Sequence, residues 1–205
     1  MNTDRDILSG VKNPNRRKLL LCTAACFISG TDTLLAKDTI PLQEVSNLND
    51  FVRRDRTLLL DTRSPVGSRR KHYEFPFFKD GIYNRAIYED LCWLSMDTHD
   101  NVAVEMDIGL FNITALTQMY LSDILGSKKP IRFTSGYRTI KTNSQTEGAA
   151  RNSYHMLAKG LDFTMDGVDK YAIAYYTRYF GAGGVGIYQF HNHIDTGDER
   201  AWDNR

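Results

Sequence analysis

Residues 190–195 read FHNHID and place His191, His193 and Asp195 at every second position. In an extended strand alternate side chains share a face, so this stretch lines one surface with two imidazoles and a carboxylate. A third histidine, His155, lies in SYHMLAKGLDF, seven residues ahead of Asp162. Asp162 falls inside a short apolar run, where a carboxylate is tolerated only when paired or metal-bound. Hydrolytic zinc sites take three protein ligands from His, Asp or Glu and leave a fourth position to water. They also need a base beside that water, because polarisation by the metal does not by itself move a proton. His155, Asp162 and His193 supply such a ligand set, and His191 supplies the base or a donor to the transition state. Two imidazoles and a carboxylate suit Zn2+, one ion per chain.

The elements that must carry these residues are short. IRFTSG (131–136) and GLDFTM (160–165) read as strands, and GGVGIYQF with HNHIDTG as a closing hairpin around 189–192. The polar stretch between the first two strands has the composition of a functional loop and delivers His155. Helices are expected at 83–96, at 107–126 between an Asp107 N-cap and a Gly126 stop, and at 169–180. TLLLDT (57–62) is a strand, followed by a basic, aromatic loop or long hairpin over 63–81 whose Tyr73, Phe75 and Phe77 pin it to the domain. GAGGVG lacks the Lys-Ser/Thr of a phosphate loop and precedes a strand, so it reads as a tight turn. His72 and His99 read as surface residues. Helices and strands alternate without a βαβ rhythm, which predicts an α+β fold with a small antiparallel sheet and helices around it.

The chain has 205 residues, 41% of them hydrophobic, and a net charge of +1. That suits one domain with a buried core, and no global field argues for nucleic acid or an acidic membrane. Residues 1–36 read differently. Arg16 and Arg17 precede an apolar run of about ten residues, too short to span a bilayer and suited to a twin-arginine-like export signal. Its removal takes five basic and three acidic residues and leaves 21 against 22, with Cys92 the one remaining cysteine. Residues 37–56 read as a linker or irregular first element, and 57–205 as the domain. The mature protein is expected in the periplasm or cell envelope, without a transmembrane span.

SGYRT, N-S-Y-H-x6-D, GGVG-Y and H-x-D-T-G…R-x-W follow one another over residues 135–202. That order resembles the zinc D-alanyl-D-alanine peptidase family of murein carboxypeptidases, dipeptidases and endopeptidases, with a hedgehog/DD-peptidase fold, and most of all its exported bacterial branch. The resemblance implies that His155, Asp162 and His193 bind zinc. It implies that Arg138 holds a substrate carbonyl or carboxylate, and that Ser153 and Asp195 support the ligands from behind. Phe190 stands where other members carry a glutamate, which leaves His191 as the base. The expected activity is hydrolysis of amide bonds in peptidoglycan stem peptides or cross-links, as a D,D-carboxypeptidase or endopeptidase. The alternatives are a module of the same fold that binds wall peptides without turnover, and an interaction protein whose histidines are incidental.

Overall fold

The computed structural model describes residues 48–63 and 70–204; the export-signal reading of 1–36 lies outside them. Within the range read as linker, a short helix α1 (Leu48–Phe51) buries Leu48 and Phe51, so the packed domain begins ahead of residue 57. Strand β1 (Arg56–Arg63) pairs antiparallel with β2 (Arg70–Lys79), which turns back through β3 (Ile82–Tyr83). Helix α2 (Arg85–Leu94) starts at Asn84, whose side chain accepts from the Ile87 N–H. Helix α3 (Ile108–Leu125) runs from an Asp107 cap to Gly126 in the left-handed conformation, at φ 63°. Both ends follow the cap chemistry expected of these residues.

Strand β4 (Ile131–Ser135) leads through helix α4 (Ile140–Gln145) and a single 3-10 turn (Tyr154–Leu157) into β5 (Gly160–Met165). Helix α5 (Lys170–Tyr179), β6 (Gly184–Tyr188), β7 (Asn192–Asp195) and β8 (Arg200–Asn204) complete the domain.

The α+β class holds, but the sheet is larger than expected and mixed. Among the described residues eight strands run in the order β3-β2-β1-β4-β5-β7-β6-β8, and the β1–β4 and β6–β8 pairs are parallel. The long hairpin offered for 63–81 is present as the β1–β2 pair, and two sequence features blurred the strands that were not assigned outright. Pro76 sits in β2, opposite Thr57 at a register shift where a missing N–H is tolerated. RAWDN of β8 is half exposed and lacks a clear apolar alternation.

Helices α3 and α5 cover one face of the sheet. Phe111 of α3 stacks on Phe133 of β4, with ring centroids 6.1 Å apart. Phe133 pairs with Phe163, and Leu161, Phe163, Met165, Ile187 and Ile194 are buried on that side. By the two-residue period the opposite face receives Arg132, Asp162, Thr164 and His193. Gln118 of α3 ties the helix to the sheet, accepting from the Leu59 N–H and donating to the Leu59 and Lys129 carbonyls. The core thus backs the face on which the candidate ligands stand. Among the described residues no helix is long and apolar enough to cross a membrane.

Candidate metal centre

β5 and β7 are antiparallel neighbours, and their register sets Asp162 directly opposite His193. The 3-10 turn brings His155 over the same face. Ser153 caps that turn, its Oγ accepting from the His155 backbone N–H at 3.3 Å. Ser153 therefore acts on the backbone of His155 and not on its ring.

The three side chains converge. His193 Nδ1 lies 2.7 Å from Asp162 Oδ1, His155 Nε2 lies 3.2 Å from the same oxygen, and the two nitrogens are 3.2 Å apart. All three residues are buried. Ligands at zinc distances of about 2.0–2.1 Å in a tetrahedron stand roughly 3.3 Å from each other, so the spacing fits that ion.

The outer partners fix which atom of each ring faces inward. His155 Nδ1 is 2.6 Å from the Gly136 carbonyl, so the neutral ring donates there and turns an Nε2 lone pair to the centre. His193 Nε2 is 3.1 Å from Asp195 Oδ2, which leaves Nδ1 facing inward. Asp195 is fully buried and held by both Nη atoms of Arg200, at 3.1 and 2.5 Å, and by the Gly184 and Gly197 N–H groups. A Cβ on Gly184 would stand 2.1 Å from Asp195 Oδ2. Gly184 and Gly186 lie within β6 and make room for Asp195 and Trp202; the turn ahead of them is made by Gly181, at φ 106°. The turn read at GAGGVG is thus confined to its start, and the close backbone approach expected of these glycines is present, a Cβ on Gly183 standing 1.8 Å from the Gly197 carbonyl.

Burial opposes the charge on Asp162 and Asp195, but their partners outweigh it. Hydrogen bonds from His155 and His193 hold Asp162 far below the usual carboxylate range, and those from His193 and Arg200 lower Asp195. For His193 burial again opposes charge, while Asp162 and Asp195 raise its pKa overall.

Arg138 donates Nη2 to Asp162 Oδ2 at 2.8 Å and Nε to Ser135 Oγ at 2.8 Å. It thus binds the carboxylate oxygen turned toward it and leaves Oδ1 to the histidines, a positioning contact the sequence did not disclose. His191 lies in the turn before β7 and not within the strand, because the β6–β7 connection takes three residues. Its Nε2 still reaches to 3.8 Å from Asp162 Oδ2, with the ring stacked on Tyr188 at 4.6 Å. Burial lowers its pKa, which favours the neutral imidazole. Phe190 beside it is 76% exposed; His72 and His99 are exposed, as expected.

Sequence reasoning missed the Gly136 carbonyl, Arg200 and Asp97. The first is a backbone group with no side-chain signature. Arg200 stood in the R-x-W ending without an assigned partner. Asp97, 2% exposed, accepts from the Thr139 N–H at 2.8 Å and from the His99 and Asp100 N–H groups, so it clamps the SGYRT segment from below.

Two buried imidazoles and a carboxylate around one point, each braced from behind, could hold a single metal ion. A profile of the family described as peptidoglycan L,D-endopeptidase MepK matches residues 66–202. The chain belongs to this family, within the zinc D-alanyl-D-alanine peptidases. It is similar to the peptidoglycan L,D-endopeptidase MepK of Escherichia coli K12, 37% identical over 126 residues, which cover 57% of this chain and 66% of that protein. It is also similar to the probable peptidoglycan L,D-endopeptidase MepK of Haemophilus influenzae, 33% identical over 128 residues covering 58% and 66%. The matched segment spans just under two thirds of each relative's length.

Proposed function

We propose that the protein is an exported zinc-dependent peptidase that hydrolyses amide bonds in peptidoglycan stem peptides or their cross-links. One observation carries this reading: the inward-facing nitrogens of His155 and His193 and Oδ1 of Asp162 meet at 2.7–3.2 Å in a buried site. Three acceptors turned on one another repel unless a cation or a proton lies between them. The relatives are named as L,D-endopeptidases, which favours cleavage within cross-links over a D,D-carboxypeptidase reaction. Action in the periplasm or envelope follows from a peptidoglycan substrate and from the export signal read at residues 1–36.

His155, Asp162 and His193 would hold the zinc ion, which when bound would supply Lewis acidity and lower the pKa of a water toward about 7. Arg138 holds the Asp162 carboxylate by Oδ2 and so orients Oδ1 toward the histidines; its remaining Nη1 is the donor proposed for the substrate carbonyl. Asp195, fixed by Arg200, keeps the His193 ring from turning. His191, neutral and half-buried beside Asp162, accepts the proton from the attacking water and returns it to the leaving amine. Tyr188 holds that imidazole in place by stacking.

Zinc analysis and muropeptide profiling of purified variants test this. His155→Ala, Asp162→Ala and His193→Ala are expected to lose zinc and hydrolysis together. His191→Ala is expected to keep zinc and to lose roughly 10²- to 10⁴-fold in kcat. Full zinc stoichiometry in all three ligand variants would overturn the reading. A zinc-loaded wild type that binds murein without cutting it would favour the binding module.

A further inference from the structure

His191 stands in the turn between β6 and β7, outside the ladder of paired strands that fixes His193. The backbone of that turn is held from α5, where Lys170 Nζ donates to the Tyr188 and Gln189 carbonyls at 2.9 and 2.7 Å. The imidazole ring is held differently. Its Nε2 stands 3.8 Å from Asp162 Oδ2, beyond hydrogen-bond reach. Stacking on Tyr188, with centroids 4.6 Å apart and planes 17° from parallel, orients it. That orientation is only as firm as the phenol ring behind it.

A residue of the edge strand holds the phenol. The register sets Asp162, His193, Gly186 and Trp202 in one row across β5, β7, β6 and β8. A Cβ on Gly186 would stand 2.6 Å from the Trp202 ring, so only glycine leaves room for the indole there. The indole lies across Gly186 toward His193, with ring centroids 5.4 Å apart. Tyr188, two residues beyond Gly186, shares this face. Trp202 Nε1–H donates to the Tyr188 hydroxyl at 3.0 Å, and the two rings meet edge to face at 84°. Arg200, two residues before Trp202 on β8, grips Asp195 behind His193, and its guanidinium lies 5.3 Å from the Trp202 ring. One edge strand thus supports His193 through Arg200 and reaches toward His191 through Trp202.

We propose that Trp202 is a positioning residue that sets the His191 imidazole relative to His193 and Asp162, acting through the Tyr188 hydroxyl. The proposal rests on the peptidase reading, with His191 as base, and adds the device that aims that base. The indole meets His193 with its face and Tyr188 with its N–H, so one rigid side chain spans the two histidines. A base held at a fixed angle keeps its lone pair aligned with the proton it must take, whereas a ring free to tilt on its turn is aligned less often. Loss of the indole–phenol bond loosens His191 and leaves the contacts among His155, Asp162 and His193 in place.

The test uses zinc-loaded full-length protein and a synthetic cross-linked stem peptide. Trp202→Phe keeps an aromatic ring over Gly186 and removes the N–H. Tyr188→Phe keeps the ring that stacks on His191 and removes the acceptor. Each is expected to lower kcat about three- to tenfold, with KM, zinc content and melting temperature retained. The double variant is expected to fall no further than either single one, since both remove the same bond. The tilt of the ring is read separately, by carbon-13 relaxation of the His191 imidazole, whose order is expected to drop in both variants. Full kcat in Tyr188→Phe, losses that add in the double variant, or a loss that falls on KM or zinc content instead of kcat overturns the proposal. Should Trp202→Phe melt early or shed zinc, Tyr188→Phe decides alone. Absence of turnover by the wild type counts against the peptidase reading alone, because the ring order still decides the role of Trp202: an imidazole as ordered in Tyr188→Phe as in the wild type ends it.

Discussion

The two imidazoles of the centre present different atoms, His155 through Nε2 and His193 through Nδ1. That asymmetry is set by what stands behind each ring. A backbone carbonyl, that of Gly136, holds one, and the Arg200-anchored carboxylate of Asp195 holds the other. Asp195→Asn and Arg200→Met are expected to weaken zinc binding about 10- to 100-fold, read by competition with a chelating indicator. Unchanged affinity would show that Trp202, whose ring lies 5.4 Å from that of His193, fixes the imidazole by packing alone. Gly184→Ala drives a methyl into Asp195 and is expected to lower zinc affinity in the same assay. The candidate ligands were legible in the sequence because His and Asp announce their chemistry, although of the H-x-H pair only His193 lies on the strand. Their supports were less so: a carbonyl has no residue type, and Arg138 bears on Asp162 only because the chain folds SGYRT over β5.

At the scale of elements, the loop after α2 matters more than its composition suggested. Asp97 accepts from the backbone N–H groups of His99, Asp100 and Thr139, while Tyr137 N–H donates to the Ser95 carbonyl at 2.8 Å. A Cβ at Gly136 would stand 2.2 Å from that carbonyl, so the two segments meet backbone to backbone. Burial opposes charge on Asp97, but these N–H donors, Thr139 first among them, lower its pKa to about 2. A carboxyl depressed on folding contributes stability above its unfolded value of about 3.9 and loses it as pH falls through the folded value. The contribution at neutral pH is roughly 2 kcal/mol by that difference. Asp97→Asn is therefore expected to lower the melting temperature at pH 7 and to narrow the gap from wild type between about pH 4 and 2, followed by circular dichroism. Helix boundaries came readily from Asp107, Gly126 and Asp169, which carry their own cap chemistry. Strand β2 was offered only as one arm of a loop or long hairpin because it contains proline, and β8 was missed because it is half exposed.

For the molecule as a whole, the sheet joins distant parts of the chain into one platform. The α+β class was legible from the mixture of periodicities. The parallel pairings of β1 with β4 and β6 with β8 were not, because nothing local encodes which remote strand becomes a neighbour. Zinc held at this centre would tie β5, β7 and the 3-10 turn together and would bind only the folded arrangement. At a thousandfold excess over its dissociation constant it is expected to stabilise by about 4 kcal/mol. Chelation should then lower the melting temperature by roughly 10 °C, with recovery on returning zinc; a melting temperature indifferent to chelator would mean that the site binds no ion.

The bond from Arg138 to Asp162 also bears on the order of assembly. A guanidinium already neutralises the one carboxylate at the heart of the platform, so the polypeptide can reach its mature shape before any ion arrives. Folding and metallation would then be separable events, with any ion at this centre taken up by a chain already in shape.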